Sequence, residues 1–461
     1  MKPIDIRQKL LYYARSNQIK LFPHPPPTDH LRSADRTTLG GTFMTVPGSK
    51  KRANIVLIAG VLFNLSIGVL YTWSVLRANM TVPVDEGGWG WTAQQAGLPY
   101  TIAILCFALG VLIGGRIQDK VGPRWVVTTG GFMVGLGMIL SGLIGNSPIG
   151  IAVCFGVISG MGIGLGYSCV TPSALKWFHP GRKGFVSGMV VGGFGLGAVY
   201  LAPLASTLLQ RFDTDRTMLF MGVAILVIST CVAQFVKNPP AGYIPAEPKK
   251  LKETAAKKIA PPPDYVWREM FKTKRFYMMF GLFLFSASVG LMVLGNVSEI
   301  ARIQGGIDDD AILAGLVSFM AVMNFVGRIV GGMLSDKIGR SNALFVVLAL
   351  QLVNISAFSL YSSLPAIIVG IAGIGACFGA ILSIFPALTA DQFGLKNYGQ
   401  NYGIIYLAWG LSGVVAPVIA DYFYDMRGDF NTAYIVCAVL MVAMIALNIF
   451  LKRDIVGTET K

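Results

Sequence analysis

From residue 54 onward the chain runs in long apolar stretches separated by short polar breaks. A bilayer core about 30 Å thick takes roughly 20 apolar residues at 1.5 Å rise per helical residue. Twelve stretches approach that length: 54–76, 94–115, 125–145, 148–171, 184–208 and 217–236, then 276–298, 311–334, 342–363, 365–389, 401–423 and 432–451. The pattern predicts an all-α integral membrane fold with twelve transmembrane helices. One helix start is marked directly: Thr92 and Gln95 have the spacing of a capping box, in which each side chain bonds the other residue's backbone N–H.

The polar breaks organise the chain further. Residues 237–275 are rich in proline and hold ten Lys or Arg, from Lys237 to Arg275. This linker separates two six-helix halves, 50–236 and 276–452. It leaves a disordered leader, 1–49, with Met44 as an alternative start, and a tail, 453–461. Short breaks on the linker's side carry Arg116, Lys120 and Arg124; Lys176, Arg182 and Lys183; and Lys337 with Arg340. The opposite side carries fewer basic residues, among them Arg77, Arg211, Arg216, Arg302 and Arg427. The positive-inside rule then makes both termini and the linker cytoplasmic, and the chain a multi-pass protein of the plasma (inner) membrane. The linker lysines read as a solvated segment that also touches anionic headgroups.

Only 13% of the 461 residues are charged, against about 25% in soluble domains, and the mean hydropathy is +0.61. The net charge of +15 is spread between apolar segments rather than gathered on one face, which argues for membrane sidedness and against nucleic acid. Six cysteines stand singly with no CxxC, and His24, His30 and His179 lie outside the spans, so neither a metal site nor a disulfide framework is expected. No Walker motif and no nucleophile–base pair stands out. The expectation is a non-enzymatic protein without cofactor and without an obligatory protein partner.

The halves share an internal repeat. Gly115 to Arg124 (GRIQDKVGPR) ends the second span of the first half, and Gly332 to Arg340 (GMLSDKIGR) ends the second span of the other. Asp119, Gly122 and Arg124 thus correspond to Asp336, Gly339 and Arg340. The glycines allow a tight turn, and the charges can lock neighbouring helix ends. Repeated halves point to a transporter whose site lies between them, near the midplane.

Arg328 sits in that setting, in the apolar run that precedes the second repeat. Its charge costs about 2.5–3.5 kcal/mol at the bilayer centre on insertion scales. Asp336 is eight residues on, roughly 12 Å along the helix, so the arginine is too deep to snorkel easily. Two readings stay open: a structural ion pair between helices, or a site for an anion. Asn324, one turn earlier, shares its face and could orient the guanidinium. The carboxylates Glu299, Asp391 and Asp421 lie near helix ends and read as solvated or capping groups. The glycine run Gly188–Gly197 is no phosphate loop; small residues at this spacing let helices approach closely where the halves meet.

At the repeated loops the chain resembles the major facilitator superfamily. Within it, GVLYTWS (68–74), GMGIGLGY (160–167), Lys176-Trp177-Phe178 leading to Arg182-Lys183-Gly184, and NYGIIY (401–406) resemble the oxalate/formate antiporter family and its relatives, the monocarboxylate transporters. The resemblance implies alternating access, with Arg328 as a bidentate carboxylate anchor. It also implies cavity positions for Tyr71, Tyr167, Tyr406 and Trp409; Tyr402 lies on the same stripe of helix 11. Phe378 and Phe385 in helix 10 would wall a methyl group or pack the core. Two departures matter. The family's oxalate transporter has a second cation, a lysine, where this chain has Trp409, and one cation suits a monoanion such as lactate or pyruvate. Animal monocarboxylate transporters place an aspartate where this chain has Asn324, so a coupled H+ would ride on the substrate or on a water. The expectation is a lactate/H+ symporter, with oxalate/formate-type exchange as the alternative.

Overall fold

The computed structural model describes residues 49–240, 243, 245 and 264–459. The expected leader and most of the linker lie outside these residues. Every regular element among those described is helical. The first span is α1 (Ser49–Ser66), which continues through a tight turn, Gly68–Thr72, into a short helix, Trp73–Thr81. Next come α2 (Ala93–Val121), α3 (Pro123–Ile144), α4 (Gly160–Leu175, entered through a wide turn at Ala152–Ser159), α5 (Lys183–Leu209) and α6 (Thr214–Ala233). The second half holds α7 (Lys274–Gly305), α8 (Asp310–Ile338), α9 (Arg340–Ala357), α10 (Leu364–Phe393), α11 (Tyr398–Arg427) and α12 (Asn431–Glu459). Among the described residues, eleven spans are long and apolar enough to cross a bilayer, and α11 adds a helix of 30 residues.

Local chemistry sets several boundaries. Thr92 and Gln95 form the expected capping box, with Gln95 N bonded to Thr92 Oγ1 at 3.2 Å and Thr92 N to Gln95 Oε1 at 2.9 Å. The repeated loops are shorter than the apolar pattern suggests. Residues 116–121 and 335–338 remain helical, so the charged residues ride on helix ends. Only Gly122 (φ +86°) and Gly339 (φ +87°) break the chain between helices, in a left-handed conformation that favours glycine. Pro123, which lacks an N–H, then opens α3 where no helical acceptor exists for one.

The two halves repeat their packing. In the first, α1 lies on α5, α2 on α4 and α3 on α6; in the second, α7 lies on α11, α8 on α10 and α9 on α12. The halves meet along two equivalent crossings, α5 with α8 and α2 with α11. Glycine makes both crossings possible. A methyl group at Gly188 would stand 2.2 Å from the Arg328 carbonyl oxygen, and one at Gly184 2.2 Å from that of Gly332. At the other crossing, a methyl at Gly399 would stand 2.3 Å from the Gly115 carbonyl oxygen. Backbones therefore touch where apolar side chains would gain little over lipid.

Candidate functional site

Arg328 lies on α8 at the α5 crossing and is 2% exposed. Its Nε donates to Asn324 Oδ1 at 2.7 Å, and its Nη1 donates to the Val191 carbonyl of α5, in the other half. A methyl at Gly195 would sit 3.1 Å from the guanidinium carbon, so the missing side chain leaves the room that the group fills against α5. Among the described residues no carboxylate lies within ion-pair distance of Arg328. The ion-pair reading left open above is therefore not met by any described residue. A buried cation here is held by neutral oxygens alone, an arrangement that an incoming anion can improve.

An aromatic cluster adjoins it. Tyr167 of α4 stands 5.3 Å from Tyr406 of α11, ring to ring, and Tyr406 stands 5.0 Å from Trp409. Tyr402 continues the α11 stripe at 5.6 Å from Tyr406. Tyr71 joins through Phe194, at 5.5 Å. Phe385 lies at the margin, stacked at 4.2 Å on Phe283, which is 6.2 Å from Tyr406. Phe378 goes elsewhere: its ring packs on α7 at Gly290, where a methyl would come within 2.5 Å.

Three members escaped the sequence. Phe107 of α2 sits at the hub, within 6 Å of Tyr167, Phe194, Tyr406 and Trp409. It is one of 27 phenylalanines, and nothing local marks it. Phe283 is equally unmarked. Phe194 had a signal, since it lies inside the glycine run, next to the Gly195 that faces the arginine.

The end of the bundle that carries the linker is closed by two equivalent contacts. Asp336, on α8, accepts the backbone N–H of Gly184 and of Phe185, both at 2.8 Å, at the start of α5. Asp119, on α2, accepts those of Gly399 at 3.2 Å and Gln400 at 3.0 Å, at the start of α11. Each repeat thus places a carboxylate on the helix N-terminus of the opposite half, where free N–H groups and the helix dipole favour negative charge. The arginines then diverge. Arg340 bonds Asp336 at 2.6 Å and Asp391 at 2.8 Å, and Asp391 also takes Lys183 at 2.8 Å. Arg124 does not pair with Asp119; it donates to Gln234 Oε1 at the end of α6, at 2.6 and 2.9 Å. A neutral acceptor within its reach takes the place of the expected ion pair.

The other candidate groups are occupied or peripheral. Asp391 belongs to this closure, and Glu299 accepts the Tyr424 hydroxyl at 3.4 Å. The side chain of Asp421 lies outside the described residues. His179 accepts the Gly181 N–H and caps a short turn before α5. Burial holds the Lys176 ammonium below the ordinary lysine range, against the pull of Asp119.

With the geometry in hand, comparison with known proteins decides the family. The profile of the Major Facilitator Superfamily matches residues 55–360 and 316–460. The chain belongs to that superfamily. This major facilitator protein is therefore a multi-pass membrane transporter, and its fold agrees. A solved fucose:proton symporter from E. coli superposes with a TM-score of 0.65 at 12% identity, over 86% of this chain and 98% of that one. In sequence, the Oxalobacter formigenes oxalate:formate antiporter is 27% identical over 86% of this chain and 90% of its own length. Rat monocarboxylate transporter 12 is 24% identical over 74% of this chain and 73% of its own length.

Proposed function

We propose that this facilitator is a proton-coupled transporter of small monocarboxylates of the lactate and pyruvate type. The observation that carries the reading is Arg328, buried at the meeting of the halves and bonded, among the described residues, only to neutral oxygens. A carboxylate would replace the Val191 carbonyl on Nη1 and engage Nη2, a bidentate fit that a planar guanidinium suits. Breaking the Arg328–Val191 bond would also loosen the α5–α8 crossing, so binding and rocking share one contact. Trp409 adds specificity. A dianion would bring a second charge into an aromatic wall, at several kcal/mol for an uncompensated buried ion.

No described carboxylate lies within ion-pair reach of Arg328, so we route the proton on the substrate or on a water beside it. The positive-inside rule supports a cytoplasmic linker end, and we assign the chain to the plasma (inner) membrane as part of the same proposal. The test is uptake of labelled lactate into proteoliposomes with and without an inward proton gradient. Uptake indifferent to the gradient would end the symport claim. The Oxalobacter relative supports a second reading, oxalate/formate-type exchange; strong oxalate counterflow with weak lactate uptake would select it. Arg328→Ala should abolish carboxylate binding while the protein still folds, and near-normal transport in that variant would remove the anchor.

A further inference from the structure

The aromatic cluster holds an unanswered donor. The indole nitrogen of Trp409 is sealed from solvent and has no hydrogen-bond partner among the described residues. Its ring lies 5.6 Å from Phe107 and 5.0 Å from Tyr406, two ring contacts that turn no oxygen toward the N–H. Buried indole N–H groups normally find an acceptor, because leaving one unmet forfeits the bond it made to water. We propose that Trp409 is a specificity-determining residue: its N–H reads an oxygen on the carbon next to the substrate carboxylate. The site would then select 2-oxo and 2-hydroxy monocarboxylates over unsubstituted acids of the same length.

The inference rests on the carboxylate reading above and deepens it. An indole can only donate, so the occupant has to bring an acceptor. The indole is uncharged and packed among rings, so a neutral carbonyl or hydroxyl oxygen matches it better than a second carboxylate. Anchor and donor border the same cluster: Gly195 faces the guanidinium, its neighbour Phe194 lies 5.7 Å from Phe107, and Phe107 contacts Trp409. The other unpartnered polar atom on this stripe, the Tyr402 hydroxyl, lies two helical turns away. A hydroxyl both donates and accepts, so it would not sort ligands in the same way.

The experiment measures KM for pyruvate, lactate and propionate in proteoliposomes of the wild type, Trp409→Phe and Tyr402→Phe. Phenylalanine keeps an aromatic ring, removes the donor and loses one ring's volume, and the volume loss is common to all three acids. Trp409→Phe should raise KM for pyruvate and lactate on the order of tenfold relative to KM for propionate, the loss expected for one hydrogen bond. Tyr402→Phe should leave the preference intact. A fall in folded protein lowers the maximal rate for all three substrates and leaves the ratio of KM values alone, so misfolding cannot mimic the result. An unchanged ratio, or an equal rise for all three acids, would overturn the assignment while leaving carboxylate transport standing. A wild type that carries none of the three would overturn both readings together.

Discussion

Asp336→Asn isolates the closure of the linker end. The aspartate carboxylate holds the Gly184 and Phe185 N–H groups at 2.8 Å and the Arg340 guanidinium at 2.6 Å. Asparagine keeps one acceptor oxygen and loses the charge, and it leaves Arg340, 10% exposed, with Asp391 and the Ser335 hydroxyl. Asp336 and Arg340 share one half, so opening breaks only the two N–H bonds across the halves; taking the charge from their acceptor costs about 1.5–3 kcal/mol, or roughly 10- to 150-fold in the closed-to-open equilibrium. Hydrogen exchange read by mass spectrometry reports that equilibrium directly, because these amides exchange only when the contact opens. Peptides covering 184–190 should exchange up to that factor faster. Peptides covering 399–405 should quicken too, although Asp119 still holds Gly399 and Gln400, because both contacts open in one movement of the halves. Faster exchange confined to 184–190 would mean that only the start of α5 frays, and the coupling argument would be refuted.

Other perturbations test the site. Arg328→Lys cannot offer a carboxylate the paired Nη1 and Nη2 donors of a guanidinium; at about 1.5–3 kcal/mol per bond to a charged group, KM for lactate should rise roughly 10- to 150-fold, and an unchanged KM would sink the bidentate picture. Asn324→Asp would pair internally with Arg328 and compete with substrate, so KM should rise at neutral pH and recover as acid protonates the new group; a flat pH profile would argue against competition for the guanidinium. Gly188→Ala presses a methyl against the Arg328 carbonyl oxygen at 2.2 Å; overpacking of this kind costs about 1–3 kcal/mol, so thermal stability in detergent should fall. Gly413→Ala on α11, with nothing within 4 Å, should leave it unchanged. Equal melting of the two glycine variants would show that the crossing yields.

Spans, repeat and capping box were legible because they depend on length, period and spacing. Helix ends were not, because the backbone bonds of α2 and α8 continue through Arg116–Lys120 and Asp336–Lys337, where hydropathy has already fallen. Arg328 and Asn324 could be read as a pair, being one turn apart on one helix. The third party could not, since the Val191 carbonyl is a backbone group that every residue carries. Tertiary context also decided Arg124, which finds Gln234 across a helix boundary, and Phe378, which packs on Gly290 although its residue type equally suits the cluster.

The two closures divide their demands unequally between chemistry and identity. Their donors are main-chain N–H groups, which any residue except proline supplies. Phe185 and Gln400 could therefore drift in sequence with the bond intact, so Gln400→Ala should be silent where Asp119→Ala is not. Gly184 and Gly399 are fixed for want of room, and Asp119 and Asp336 for their charge. The bundle end that shuts this carrier thus rests its mutational tolerance on four positions, and the symmetry of the halves makes each one half of a matched pair.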